Sequence, residues 1–173
     1  MKKEPEGNPY GMQYHIFSKN QPENLAWMER IRVLLDEYGA ASVGEMGEAH
    51  HAIRMMGEYT APGRLHQCYS FELMGYDYSA AFFRGKLDEF FKGAPDGWPM
   101  WAFSNHDVVR SATRWGGPNP DPRLLRLAAT FQASLRGTVC LYQGEELGLP
   151  EAELRFEDLQ DPYGITMWPE FKG

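Results

Sequence analysis

The sequence predicts an α/β fold: four parallel strands joined by crossover helices, in the pattern of half a (β/α)8 TIM barrel. Three observations lead there. Helix-like and strand-like segments alternate along the chain, which argues for a parallel sheet with crossover helices. Three of the strand-like segments end in polar residues. These are Ala41-Ser42-Val43-Gly44-Glu45, then Trp98-Pro99-Met100-Trp101-Ala102 running into Phe103-Ser104-Asn105-His106-Asp107, then Gly137-Thr138-Val139-Cys140-Leu141-Tyr142 running into Gln143-Gly144-Glu145-Glu146. Polar groups gathered at the C-terminal ends of consecutive parallel strands are how a β/α barrel builds its site, and a closed barrel of this type uses eight strands. Here the strand-like segments stop at four.

The elements follow in order. Residues 1–20, rich in Pro, Gly and Asn, read as an irregular connection. A helix is predicted over 21–38, capped by Asn20, with Pro22 in its first turn, an apolar stripe of Leu25, Met28, Ile31, Leu34 and Leu35, and a stop at Gly39. The strand 41–45 comes next, then a helix over 49–59 ended by Pro62-Gly63, and a weakly alternating strand over 65–73. An amphipathic helix over 79–91 carries Phe82, Phe83, Leu87, Phe90 and Phe91. The turn Gly93-Ala94-Pro95-Asp96-Gly97 leads into the strand that ends at Phe103. A helix over 122–135 and a strand over 138–142 complete the pattern. The aromatics Phe71, Trp98, Trp101 and Tyr142 are expected in the core rather than as ligand-stacking platforms.

Composition narrows the function classes. The chain has 173 residues, 43% hydrophobic and 14% aromatic, enough to bury a core. A net charge of −7 without any lysine or arginine run argues against nucleic acid as a partner. No apolar segment is long enough to span a membrane, and the charged opening Met1-Lys2-Lys3-Glu4-Pro5-Glu6-Gly7 lacks the apolar stretch of a signal peptide, so a cytoplasmic protein is expected. An acidic, aromatic-rich chain is compatible with a neutral polyhydroxylated ligand. Cys68 and Cys140 fall on strand-like segments; on non-adjacent strands, at about 4.8 Å per strand, they lie beyond disulfide reach. Two buried free thiols are expected, which fits a reducing compartment.

The chemistry-bearing residues each carry two readings. Glu45 is either a site carboxylate or an acidic residue opening the next helix. Asp107 is either a site carboxylate or a cap before Val108-Val109-Arg110. His106 reads as a ligand contact or a packed strand-end histidine, and Arg110 as a site cation or an ordinary ion-pair partner. Glu145 and Glu146 belong to a site rim or, preferably, to a structural hydrogen-bond network. His50-His51 near Glu48 invites a metal reading, but adjacent helix positions point apart, so a solvated face is expected and no metal or cofactor is assigned. Carboxylates as the dominant polar groups suit glycoside cleavage.

Four stretches carry a family resemblance. Val43-Gly44-Glu45, Phe103-Ser104-Asn105-His106-Asp107 with Arg110 behind it, Leu141-Tyr142-Gln143-Gly144-Glu145-Glu146-Leu147-Gly148, and Asn8-Pro9-Tyr10 with Gln21-Pro22-Glu23-Asn24 occur in that order. Together they resemble glycoside hydrolase family 13, the α-amylase family, in its bacterial α-glucosidase and oligo-1,6-glucosidase branch. The resemblance implies that residues 1–173 are the C-terminal half of a TIM-barrel catalytic domain, strands 5 to 8 with their flanking helices. It also implies an activity, hydrolysis of terminal α-linked glucose from oligosaccharides with retention. Transglucosylases, sucrose hydrolases and trehalose-forming relatives share the same residues, and a non-catalytic sugar-binding half-barrel is the reading from another class.

By that resemblance Glu45 is the general acid/base, Asp107 the transition-state stabiliser, His106 a sugar contact and Arg110 a substrate-binding residue whose charge holds a nearby carboxylate ionised. Retaining cleavage uses two carboxyl groups about 5–5.5 Å apart, one of them a nucleophile. The family's nucleophile is an Asp in a Gly-Phe-Arg-x-Asp type motif on strand 4, and no such motif occurs in these 173 residues. The isolated chain is therefore expected to be inactive. With two sheet edges and an inner face left bare, it is also expected to self-associate or to fold against the missing barrel half.

Overall fold

The computed structural model describes residues 15–46 and 51–168. Its described residues divide into two compact units, Pro22–Glu151 and a smaller one of 15–21 with 152–168.

The larger unit is built on a four-stranded, all-parallel sheet in the order β1-β2-β3-β4, with β1 Val43–Glu45, β2 Gln67–Ser70, β3 Pro99–Ala102 and β4 Thr138–Cys140. Helices α1 Glu23–Glu37, α2 Ala52–Tyr59, α3 Ala80–Gly93, and the pair α4 Ser111–Gly116 and α5 Pro122–Ser134 alternate with the strands. Four sequential parallel strands with crossover helices form a partial β/α barrel. The strands are shorter than predicted, but each lies inside its predicted range. Cys68 and Cys140 sit on β2 and β4 with β3 between them, and both are free thiols; Cys68 is buried and Cys140 half-buried.

Local sequence explains the helix boundaries. Asp121 accepts from the Arg123 N–H, and Pro122 takes the first position of α5. Ser79 caps α3 by accepting from the Phe82 N–H at 3.2 Å. Gly39 ends α1 at φ 60°; its N–H bonds to Asp36 O and the Ala40 N–H to Leu35 O, which closes a Schellman turn. The cap of α1 departs from prediction: Pro22 holds the position without a side-chain bond, and Asn20 has φ 52°. The predicted stripe of α1 is also only half used. Leu25 and Met28 pack on the core, while Ile31 and Leu34 are 44% and 55% exposed, because α1 lies at the end of the helix row with α2 as its main helix neighbour. The first residues of the predicted helix 49–59, including His50, lie outside the described residues.

The core fills the helix-facing side of the sheet. Cys68 and Trp101 from the strands meet Ile53, Met56 and Phe90 from α2 and α3, with Phe103 and Trp115 beside them. Gly44 makes this packing possible: a Cβ there would come within 2.6 Å of Leu65 Cδ1. Gln132 of α5 is buried and donates to Trp101 O and Cys140 O at 3.0 Å each, tying the helix to both strands. Trp101 is buried as predicted, whereas Trp98 is 42% exposed, its indole N–H donating to Thr138 Oγ1. At the N-terminal end of the sheet Ser42 and His66 clasp each other: the His66 N–H donates to Ser42 Oγ at 3.1 Å and the Ser42 N–H to His66 Nδ1 at 3.2 Å.

The smaller unit contains a 3₁₀ turn at Phe156–Asp158 and a short helix, α6 Pro162–Thr166. Within it the Phe156 and Trp168 rings lie 5.7 Å apart, and Arg155 pairs with Asp158 at 2.9 Å. Among the described residues no helix is long and apolar enough to cross a membrane.

Candidate active site

The C-terminal end of the sheet collects the polar residues. Glu45 is the last residue of β1, and its Cα partner on β2 is Tyr69. Paired residues of adjacent parallel strands project to the same face. On β2 the residues Cys68 and Ser70 are buried toward the helices, so Gln67 and Tyr69 take the opposite face, where Val43 and Glu45 are exposed. Tyr69 therefore stands beside Glu45 on the inner face of the sheet.

The segment after β3 completes the group. Asn105 is buried, and its Oδ1 accepts the Asp107 N–H at 2.9 Å, a side-chain turn that sets the direction of Asp107. The Asn105 amide Nδ2 donates to Asp107 Oδ2 at 3.4 Å. Burial pushes the Tyr69 phenol up to about 12; the charges of Cys140, Glu45 and Asp107 act the same way, and the nearby Asn105 amide opposes them. The carboxylates of β1 and of the β3 segment thus both lie at the C-terminal end of the sheet. His106 Nε2 is 3.4 Å from Asp107 Oδ1, with both side chains mostly exposed.

Arg110 goes elsewhere. Its guanidinium donates to Gln143 O at 2.8 Å and lies 4.5 Å over the Tyr142 ring, while its backbone N–H donates to Glu151 Oε2 at 2.7 Å. It joins the β3 and β4 loops, and the carboxylate beside it is Glu151. Glu145 is part of a structural network: Ser104 and Ser111 hydroxyls donate to its Oε1 at 2.9 and 2.8 Å, and the Tyr142 N–H to its Oε2 at 3.1 Å. Glu146 accepts from the Gly144 N–H at 2.9 Å. Among the described residues no group of three or more His, Cys, Asp or Glu side chains gathers as a metal site. Glu48 and His50 lie outside the described residues, as does Asn8-Pro9-Tyr10.

Two residues were missed from sequence. Tyr69 sits in a weakly alternating strand, and only the register with β1 brings it to Glu45. Arg114 is buried in a short helix whose turns are too few to read; it donates to Gly75 O at 2.9 Å and to Val109 O and Phe103 O, holding the loops after β2 and β3 together. Trp115 adds a bond from its indole N–H to the same Gly75 O at 3.0 Å.

A parallel sheet with crossover helices and carboxylates at its C-terminal end defines a piece of a barrel enzyme's catalytic domain. The alpha amylase catalytic domain profile matches residues 1–170, and the chain belongs to that family. It is 50% identical over 173 residues to a probable alpha-glucosidase of Rhizobium meliloti (strain 1021), covering 98% of this chain and 31% of that one. It is 31% identical over 177 residues to an oligo-1,6-glucosidase of Heyndrickxia coagulans, covering 91% of this chain and 31% of that one. The crystal structure of the alpha-glucosyl transfer enzyme XgtA superposes with a TM-score of 0.88 at 56% identity, covering 96% of this chain and 31% of that chain. The chain spans about a third of the length of these proteins.

Proposed function

We propose that this chain supplies the acid/base and stabilising half of a retaining α-glucosidase site. Glu45, protonated, gives its proton to the leaving glycosidic oxygen as the C–O bond breaks, then takes a proton from the water that attacks the glycosyl–enzyme bond. Asp107 holds the ring hydroxyls and balances the developing oxocarbenium charge. His106, exposed beside Asp107, donates to a sugar hydroxyl. Arg110 acts on substrate through the β4 loop that it holds against the β3 loop. The substrate is a terminal α-glucoside, and the reaction needs no cofactor. Two free thiols suit a reducing, cytoplasmic setting.

The observation that supports this reading is the placement of Glu45 and Asp107, far apart in sequence, at the C-terminal ends of β1 and β3 in one parallel sheet. Residues 1–173 then form the C-terminal half of the catalytic barrel, with the nucleophile supplied by the preceding half. On its own this chain turns over no aryl α-glucoside, and its bare sheet edges associate with that half or with one another.

The similarity to a glucosyl transfer enzyme favours a second outcome at the same residues, transfer of glucose to a sugar hydroxyl instead of water. Both outcomes are tested in the polypeptide as its source cell makes it. Glu45→Gln and Asp107→Asn should each cut release of the aryl group from an aryl α-glucoside by at least about a hundredfold. Wild-type turnover in either variant would sink the assignment. The ratio of free glucose to glucosylated acceptor separates hydrolysis from transfer.

A further inference from the structure

We propose that Asn105 is a positioning residue of this site, its one buried amide fixing both the backbone and the carboxylate of Asp107. The proposal rests on the reading of Glu45 and Asp107 given above. Asn105 Oδ1 accepts the Asp107 N–H at 2.9 Å, and Nδ2 donates to Asp107 Oδ2 at 3.4 Å. The two bonds assign the amide. A backbone N–H needs an acceptor and a carboxylate needs a donor, so only one orientation satisfies both. One planar group thus sets where Asp107 leaves the chain and which way its carboxylate faces.

The support is firm where Asp107 itself is not. Asn105 is 7% exposed. Ser104 before it is also buried, its hydroxyl donating to Glu145 Oε1 at 2.9 Å and accepting the Ser111 N–H at 2.8 Å. The chain is therefore anchored to the β4 loop one residue ahead of the amide. The Asp107 side chain, by contrast, is 57% exposed, and on its other oxygen it meets His106 Nε2 at 3.4 Å, on a side chain 80% exposed. An exposed carboxylate samples several rotamers, and holding it in one removes an entropy cost that the transition state would otherwise bear. The amide does this without adding charge. A lysine or arginine in its place would neutralise the carboxylate that balances the oxocarbenium ion.

Asn105→Ala removes both bonds. In the polypeptide as its source cell makes it, it should lower kcat on an aryl α-glucoside by about 10- to 100-fold. KM should stay within about threefold, since the loss is in transition-state alignment. In an Asp107→Asn background the same substitution should change kcat by less than about threefold, because residues acting as one unit are not additive. Asn105→Asp adds a signature that a merely structural asparagine would not give. Its protonated carboxyl can accept the Asp107 N–H and donate to Asp107 Oδ2, as the amide does; its ionised form cannot donate and repels Asp107. Of two carboxyls sharing one proton, the buried one keeps it. The ratio of variant to parent kcat should therefore rise about tenfold as pH falls from about 8 to about 5.5. A ratio independent of pH overturns the proposal, as do full kcat in Asn105→Ala and multiplicative losses in the double variant. Asn105→Asp keeps the turn, so its pH ratio decides the outcome where the alanine variant does not fold. Asp107→Asn tests the underlying reading separately. Wild-type turnover there removes both, whereas a dead Asp107→Asn beside a fully active Asn105→Ala removes only the role of Asn105.

Discussion

Ser104 and Glu145 meet at 2.9 Å across the C-terminal ends of β3 and β4. The same glutamate oxygen takes the Ser111 hydroxyl at 2.8 Å, and Ser104 Oγ accepts the Ser111 N–H at 2.8 Å. With the Tyr142 N–H on its second oxygen, one carboxylate closes the β3 loop onto the β4 loop. Ser104 and Ser111 are both buried, so their hydroxyls depend on this partner.

Glu145→Ala should therefore destabilise the fold by about 3 kcal/mol in urea unfolding, since buried donors left unpaired cost about 1–3 kcal/mol each. Glu145→Gln keeps the shape and one acceptor oxygen and should cost about 1 kcal/mol. Equal stability in the alanine variant would show that water replaces the carboxylate and that the two loops close without it.

Arg114 plays the corresponding part between β2 and β3. Its guanidinium donates to the carbonyls of Gly75, Val109 and Phe103, and burial lowers its pKa while the Glu145 charge opposes that. A lysine has one nitrogen and no planar fork, so Arg114→Lys cannot reach all three carbonyls. The expected loss is about 2–3 kcal/mol in urea unfolding, with faster amide exchange in the loops around Gly75 and Val109. A lysine variant as stable as the parent would mean that a single charge is enough.

Much of this arrangement was legible in the sequence, for reasons that can be stated residue by residue. Helix α3 declared itself through Ser79 and its periodic phenylalanines, and α5 through Asp121-Pro122, because caps and periodicity are local signals. Glu45 and Asp107 stood out because each follows an apolar strand. Tyr69 did not, since its meeting with Glu45 depends on register between strands, and register is a long-range property. The short helix α4 was missed because six residues show too little periodicity; its buried Arg114 and Trp115, bonded to the β2 loop, hold its conformation. Arg110 was placed at the site by its spacing from Asp107, yet the Gln143 carbonyl and the Tyr142 ring draw its side chain to the β4 loop.

The two thiols should separate by reactivity and by their effect on alkaline stability. Burial pushes the Cys68 thiol up to about 12 from its ordinary 9.0, and its side chain is fully enclosed by the core. Cys140 is half-buried and also raised, by burial and then by the Glu145 charge. A disulfide reagent at pH 8 should label Cys140 first and Cys68 only through opening of the fold. The sign of the pH effect follows from linkage. Between about 9 and 12 the folded state keeps the Cys68 proton while the unfolded chain releases it. Stability is then full below pH 9 and falls as pH rises, by up to about 1.4 kcal/mol per pH unit from this group. Tyr69, raised from 10.0 to about 12, acts in the same direction from pH 10 upward. Cys68→Ala should start less stable at pH 8, by about 1 kcal/mol for the small cavity, and lose stability less steeply between pH 9 and 10.5. Parallel slopes in urea unfolding of the two proteins would show that Cys68 ionises in the folded state as readily as in the unfolded chain.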